Sequence, residues 1–441
     1  MGNIKITAAV FACLCVLCAC GESVKGVKTV KYENGLTSLL IRDENSLAAS
    51  VAVFVRTGAI DEAQPSQAGL SHFIEHLMFK GSKNYADDKM SRVVENLGGY
   101  INAMTSNEFT MYYINIQKDG VDEAVKMLAD AMRSPSFPAA EIDKERKVVI
   151  EEIQRHSDNP FAVLSEAFDQ TIYRKSALRN SVIGTADVIA NVSRDEIFGY
   201  YSSHYVPERM TVIVTGNFDK KRISQLIGET FGQFERKAPP AEPDIIEAVH
   251  SGEDLVKRGK VEVGYMISGF LGPDMSSDDI FIADVAANIL GGGQSSRLYR
   301  VIKEEKHLVY SISASFSPVK GTGTLSIVSV FDPANIDSVK SEIKNQISKM
   351  ASGGVTEEEL ARARLAVKTS WSFAFEQPFD IAYAYGYWNL MGRPDAVDSY
   401  IQRIDAITAQ DVKNFLAKYY SVEKTTNVAM LPEKDKVKSG E

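Results

Sequence analysis

Thiols are missing from almost the whole chain. All four cysteines, at positions 13, 15, 18 and 20, fall within the first 20 of 441 residues. The remainder can hold no internal disulfide, no thiolate–metal site and no cysteine nucleophile. Its stability has to come from buried apolar surface. Histidine is scarce as well, with six in the chain, which gives any close pair weight. Positive charge is not in excess: 49 Lys+Arg stand against 58 Asp+Glu, a formal net charge of -9. Such a chain is a poor partner for a phosphate backbone, so no nucleic-acid partner is expected. After residue 20 no apolar run approaches the ~20 residues that a membrane helix needs, and the body is expected to be soluble. Disordered, collagen-like and coiled-coil compositions are excluded. At 44% apolar content, this length predicts two domains of roughly 200 residues each.

The first residues read as an address. A lysine, Lys5, precedes a short apolar run over residues 8–19, which is the pattern of a signal-peptide core. The run ends in L-C-A-C at residues 17–20, followed by Gly21. A small residue before a cysteine, with an aliphatic residue three positions before it, resembles a bacterial lipoprotein signal. In that reading residues 1–19 are the signal peptide, Cys20 carries the lipid and residues 20–26 form a tether. The protein is then expected in the bacterial cell envelope, lipid-anchored at the outer membrane facing the periplasm, or secreted if Cys20 is not used. The membrane would be met only through the anchor.

Strand and helix signals alternate along the rest of the chain, as in an α+β protein. Strands are predicted at residues 47–56, 110–116 and 211–218, and helices at 69–80, 89–97, 121–133 and 139–157. The last helix starts after Pro138 and stops before Asn159-Pro160, two sound boundaries. The most proline-rich stretch, A-P-P-A-E-P, lies within residues 237–249 and reads as a linker. Its two sides look alike. V-S-R-D-E-I-F-G-Y-Y-S-S-H-Y from Val192 is echoed by I-T-A-Q-D-V-K-N-F-L-A-K-Y-Y from Ile407, each before a short loop and a strand. Further up, F-P-A-A-E-I-D-K-E-R-K with a later N-P-F parallels V-T-E-E-E-L-A-R-A-R-L with a later Q-P-F. An offset of about 215 residues is too long for a solenoid repeat and indicates one duplicated domain, with halves at 27–236 and 250–436.

Two of the six histidines form H-F-I-E-H at residues 72–76. On a helix, positions i and i+4 lie one above the other, so His72 and His76 can reach one metal ion. Leu70, Phe73, Ile74 and Leu77 fall on one stripe, and His72, Glu75 and His76 on the opposite face. Glu75 is placed to take a proton from an activated water. A third ligand has to come from elsewhere. In the helix at 139–157, Lys144, Lys147, Glu151, Gln154 and Arg155 form a polar stripe. Ile142, Val148 and Val149 form an apolar one, which also holds Glu145 and Glu152, two turns apart. A carboxylate on a buried face calls for a partner, either a metal or a basic side chain from another element. Glu151 falls on the solvent stripe, which leaves Glu152 as the choice.

This arrangement resembles the insulinase–pitrilysin metallopeptidases, the inverzincins, whose H-x-x-E-H reverses the zincin motif. E-R-K-V-V-I-E-E at residues 145–152, G-A-I-D-E, A-G-L-S-H-F-I-E-H-L-M-F-K-G-S and G-G-Y-I-N-A-M-T-S match as well, and the likeness extends over nearly the whole chain after the leader. It is nearest to two-domain bacterial members and to the catalytic subunit of the mitochondrial processing peptidase. The resemblance implies one Zn2+ per chain held by His72, His76 and Glu152, Glu75 as general base and Glu145 as a supporting catalytic carboxylate. It implies two homologous domains, each an antiparallel sheet with helices on one face, the second without a metal site. It implies peptide substrates paired with the strand that carries Asn102 and Ala103, and a clamp from the second half. There Lys303 and Tyr310 stand where the family often has Arg and Tyr. Lysine keeps the charge and loses the bidentate fork. Zinc-dependent endopeptidase activity is the implied function, with a weakly active or non-catalytic partner subunit as the alternative. Pairing as a homodimer or with a sister chain is also implied.

Overall fold

The computed structural model describes residues 26–86, 89–243 and 245–433. The signal-peptide reading, Cys20 and most of the tether lie outside the described residues. The first half runs β1 (Val27–Lys31), β2 (Thr37–Arg42), β3 (Ala48–Val55), α1 (Leu70–Leu77), α2 (Lys89–Asn96), β4 (Tyr100–Thr105), β5 (Thr110–Gln117), α3 (Val121–Arg133), α4 (Ala139–Asp158), α5 (Pro160–Ile172), α6 (Ala186–Asn191), α7 (Arg194–His204), β6 (Met210–Gly216) and α8 (Lys220–Glu229). The second runs β7 (Asp254–Gly259), β8 (Gly264–Gly272), α9 (Asp279–Gly291), β9 (Val309–Val319), β10 (Thr322–Phe331), α10 (Ile336–Gly353), α11 (Glu357–Phe373), α12 (Pro378–Leu390), α13 (Ala396–Ala406), α14 (Ala409–Tyr419) and β11 (Thr426–Pro432). No helix among the described residues is long and apolar enough to cross a membrane.

The strands form two sheets, in the orders β1-β2-β6-β3-β5-β4 and β7-β11-β8-β10-β9. Apart from β1, the second order repeats the first. The echoed segments take equal places: α7 precedes β6 and α14 precedes β11. Each of these helices opens on a reciprocal cap, Ser193 with Glu196 and Thr408 with Asp411, which satisfies donors at the helix start. The sheets are not purely antiparallel, because β2 runs parallel to β6 and β7 parallel to β11.

Helices cover both faces of each sheet rather than one. β3 is buried at every residue after Ala48, and period-2 alternation sends its side chains into two cores. Val51, Val53 and Val55 meet Phe73, Ile74 and Leu77 of α1 in one core. Ala52 and Phe54 face the other way, into a core shared with the second half. The covering element on that side is α12. Its Gly386 is needed there, since a Cβ would lie 2.3 Å from the Phe54 ring and 2.7 Å from Ile213. The reciprocal holds for α5, whose Leu164, Phe168 and Ile172 pack on Ile267, Leu271, Val428 and Met430 of the second sheet. Each half therefore lends one helix, the one opened by N-P-F or Q-P-F, to the sheet of the other. Side chains of this size contribute roughly 1.5–3 kcal/mol each on burial.

The connection between the halves is pinned as well. Glu242 pairs with Arg56 of the first half and Lys320 of the second. Arg209, in a buried ion pair with Asp61 at 2.7 Å, also donates to the Pro240 carbonyl.

Candidate metal centre

Helix α1 begins at Gly69, whose φ of 90° and approach to Gly184 leave no room for a side chain; a Cβ there would sit 2.8 Å from the Gly184 Cα. The first free N–H groups of the helix, from Gly69 and Ser71, donate to the Glu62 carboxylate at 2.8 and 2.9 Å. Burial pushes that carboxyl up to about 8, against the pull of these donors. Leu70, Phe73, Ile74 and Leu77 are buried, so the apolar stripe fixes the rotation of the helix. That rotation turns His72, Glu75 and His76 toward an open cleft of about 720 Å³.

Across the cleft floor runs α4. Glu152 Oε2 lies 3.5 Å from His76 Nε2 and 3.9 Å from His72 Nε2, and one ligand atom from each of the three residues lies within 4.8 Å of the others. Two donors on a tetrahedral zinc at ordinary bond lengths are about 3.3–3.5 Å apart. The His76–Glu152 separation matches that spacing and the other donors lie somewhat wider, within 4.8 Å, so two imidazole nitrogens and one carboxylate oxygen fit zinc in type and converge on one point. Burial, and then the neighbouring His76, hold His72 down at about 4, so its ring is neutral and able to ligate at neutral pH.

Behind these groups stands an ordered second layer. With Nε2 of His76 turned to the cluster, Nδ1 donates to Glu145 Oε2 at 3.1 Å, and Lys80 Nζ meets the other Glu145 oxygen at 2.7 Å. Glu145 is buried and orients His76, as carboxylate partners of ligating histidines do. Glu75 accepts a hydrogen bond from Thr105 Oγ1 at 2.9 Å. Burial pushes its carboxyl up, opposed by Thr105 and His76, and Glu152 adds to the rise.

The phasing of α4 differs in one respect from the sequence expectation. Ile142, Glu145 and Val149 are its buried residues, whereas Val148 is 42% exposed and does not belong to the apolar strip. The apolar face is rotated from the one the pattern suggested: besides Ile142 and Val149, the partly buried Ile150 and Ile153 pack on the core, and Val148 does not. Glu152, with its side chain 38% exposed, borders the cleft rather than the core, and Glu151 faces solvent.

Of the residues expected to hold substrate, Ala103 lines the cleft with Met104 and Thr105. Asn102 is exposed on the same strand, and its own Oδ1 accepts from the Ala103 N–H. β4 pairs with β5 on one side only and is the sheet edge. Lys303 and Tyr310 are not brought to the cleft. Lys303 Nζ lies 4.6 Å above the Tyr299 ring, in a π-helical turn spanning Tyr299–Glu305, and Tyr310 is 57% exposed on β9. Sequence reasoning missed Thr105, although it sits inside the N-A-M-T-S segment. It also missed the far wall of the cleft, where His156 of α4 and Glu166 and Asp169 of α5 face in. Burial and then Glu166 push the Asp169 carboxyl up to about 7. Glu166 and Asp169 are one helical turn apart, and that spacing was the available signal.

Comparison with known proteins agrees with this geometry. A family model described as Insulinase (Peptidase family M16) matches residues 37–186, and one described as Peptidase M16 inactive domain matches residues 191–367. A Bacillus subtilis protein named uncharacterized zinc protease YmxG is 26% identical over 396 residues, 90% of this chain and 96% of that protein. A Mycobacterium leprae protein, also named an uncharacterized zinc protease, is 28% identical over 369 residues, 83% of each chain. Among solved structures, a protease from Helicobacter pylori superposes with a TM-score of 0.86 at 24% identity, covering 92% of this chain and 99% of that one. A Pseudomonas fluorescens structure titled as a peptidase M16 inactive domain gives a TM-score of 0.86 at 16% identity, covering 92% and 98%. At such identities the structures speak for the fold.

Proposed function

For a chain that belongs to the insulinase family, peptidase family M16, we propose zinc-dependent endopeptidase activity on peptides or small unfolded proteins in the bacterial envelope. The observation that carries this reading is the convergence of His72, His76 and Glu152 beside Glu75 at the floor of an open cleft. His72 Nε2, His76 Nε2 and Glu152 Oε2 would hold the metal. When bound, zinc supplies a Lewis acid for the scissile carbonyl and acidifies a water. Glu75, with its raised carboxyl, takes the proton of the attacking water and returns it to the leaving amine nitrogen. Glu145 keeps His76 in the tautomer that presents Nε2. The free edge of β4 offers backbone N–H and C=O groups to an extended peptide, which adds as a further strand. Among the described residues the Glu166 and Asp169 side chains on the opposite wall have no ion-pair partner, and when ionised they favour positive charge in the peptide near the cut. Cys20 as lipid anchor and dimeric assembly complete the proposal.

The test is metal analysis and cleavage of a quenched peptide by wild type and Glu75→Gln. One zinc per chain in both is expected, with activity of the variant reduced about 10²–10⁴-fold. A variant that keeps zinc and cleaves as fast as wild type would refute the mechanism. A second reading, a weakly active subunit that needs a sister chain, is favoured by one observation: Lys303 and Tyr310 stand away from the cleft. Full activity from a homogeneous preparation would decide against it.

A further inference from the structure

We propose that Thr105 is a positioning residue that couples peptide pairing on β4 to the orientation of Glu75. The inference rests on the peptidase reading and goes one residue beyond it. Along β4, exposure alternates, with Tyr100, Asn102 and Met104 outward and Ile101, Ala103 and Thr105 inward. Ile101 and Ala103 pack on the core beneath α1. Thr105 shares their parity, and its hydroxyl reaches Glu75 Oε2 at 2.9 Å. Among the described residues this is the hydrogen bond that Glu75 accepts from a side chain. One carboxylate oxygen is thereby fixed and Oε1 remains for the water.

The end of β4 that carries Thr105 is held in a tight turn. Beyond it, Ser106 N donates to the Phe109 carbonyl at 2.8 Å, and Ser106 Oγ accepts from the Glu108 and Phe109 N–H groups. Gly58 lies directly against this turn, with room for no Cβ: one would sit 2.4 Å from the Ser106 carbonyl oxygen and 2.5 Å from that of Asn107. The opposite end of β4 follows Gly98, at φ 73°. A peptide strand laid along the free edge of β4 is therefore held by the same backbone that fixes the base. The hydroxyl sets the distance between peptide carbonyl and proton acceptor. A carboxylate with one oxygen locked loses little freedom on reaching the transition state.

Thr105→Val keeps shape and removes the hydroxyl; Thr105→Ser keeps the hydroxyl and removes the methyl. With a quenched peptide, Thr105→Val is expected to lower kcat about 10- to 100-fold, the loss of one charge-assisted hydrogen bond. KM, zinc content and Tm should stay near the wild-type values. Thr105→Ser should recover kcat to within about threefold. If Thr105→Val misfolds, Thr105→Ala replaces it. Unchanged kcat in the hydroxyl-less variant, no recovery in Thr105→Ser, or loss of zinc would each overturn the inference. If Glu75→Gln is inactive alongside an unaffected Thr105→Val, only this inference fails. If Glu75→Gln cleaves like wild type, the peptidase reading itself fails.

Discussion

Setting residues 282–290 of α9 against residues 70–78 puts Asp284, Ala287 and Asn288 opposite His72, Glu75 and His76. The matching of α11 with α4 puts Ser370 opposite Glu152. These four residues of the second half again share one cavity, of about 350 Å³. The buried side of the helix is kept: Val285, Ala286 and Ile289 are as buried as Phe73, Ile74 and Leu77. The opposite side has changed. Asp284 accepts from the Tyr400 hydroxyl at 2.6 Å, and Tyr400 stacks on Trp371 with centroids 4.0 Å apart. One stripe of the helix carries the information for packing and the other, in α1, the candidate metal ligands. Duplication can discard the second without disturbing the first.

The sharpest way to break this comparison is at the third ligand. Glu152→Ala should lose zinc and reduce cleavage by at least about 100-fold. Glu151→Ala, one residue away on the solvent side, and Ser370→Ala, at the matching place in the second half, should retain both. Metal loss in Glu151→Ala equal to that in Glu152→Ala would contradict the phasing of α4.

Next in size is the exchanged packing. Phe168→Ala, in the helix that the first half lends to the second sheet, should cost about 3–5 kcal/mol by the cavity it leaves. Unfolding of both halves should remain one transition in calorimetry. Two separate transitions, only one of them shifted, would show that the halves are stable apart.

The smallest effect concerns α9. Burial pushes the Asp284 carboxyl up to about 7, with the Tyr400 hydrogen bond opposing. Between about pH 4 and 7 the folded chain holds a proton that the unfolded chain has lost. This group's contribution to stability therefore falls as pH rises through that window. Asp284→Asn lacks the penalty, so its stability relative to wild type should improve from pH 4 to pH 8, by on the order of 1 kcal/mol or more. A constant difference across that range would argue against a buried neutral carboxyl.

The zinc-type cluster was legible in the sequence because α1 and α4 obey local periodicity. Once Phe73, Ile74 and Leu77 are assigned inward, His72 and Glu75 have one direction left. Glu145 was found but its task was not, since its contacts with His76 and Lys80 join residues far apart in sequence. Val148 was misplaced because hydropathy counts a valine as buried wherever it stands. The sharing of helices went unread, although A-A-S-V-A-V-F-V in β3, apolar at nearly every position, already asks for cover on both faces. No local pattern in α5 or α12 tells which sheet it will meet. The same ignorance of long-range placement left Lys303 and Tyr310 assigned to a cleft that they do not line.

The lending of α5 ties the second half, which has no metal-type cluster among the described residues, to the geometry of the cleft. One side of this helix, with Leu164, Phe168 and Ile172, is seated on the second sheet. The other side, with Phe161, Glu166 and Asp169, forms a wall of the cleft that holds His72, His76 and Glu152. The floor of the cleft thus stands on one sheet and its far wall on the other. Any shift of the second sheet against the first would alter the width of the cleft at once, without a change in a single residue of the first half. The second half thus acts as a mechanical datum: the sheet that seats α5 sets how far that wall stands from β4.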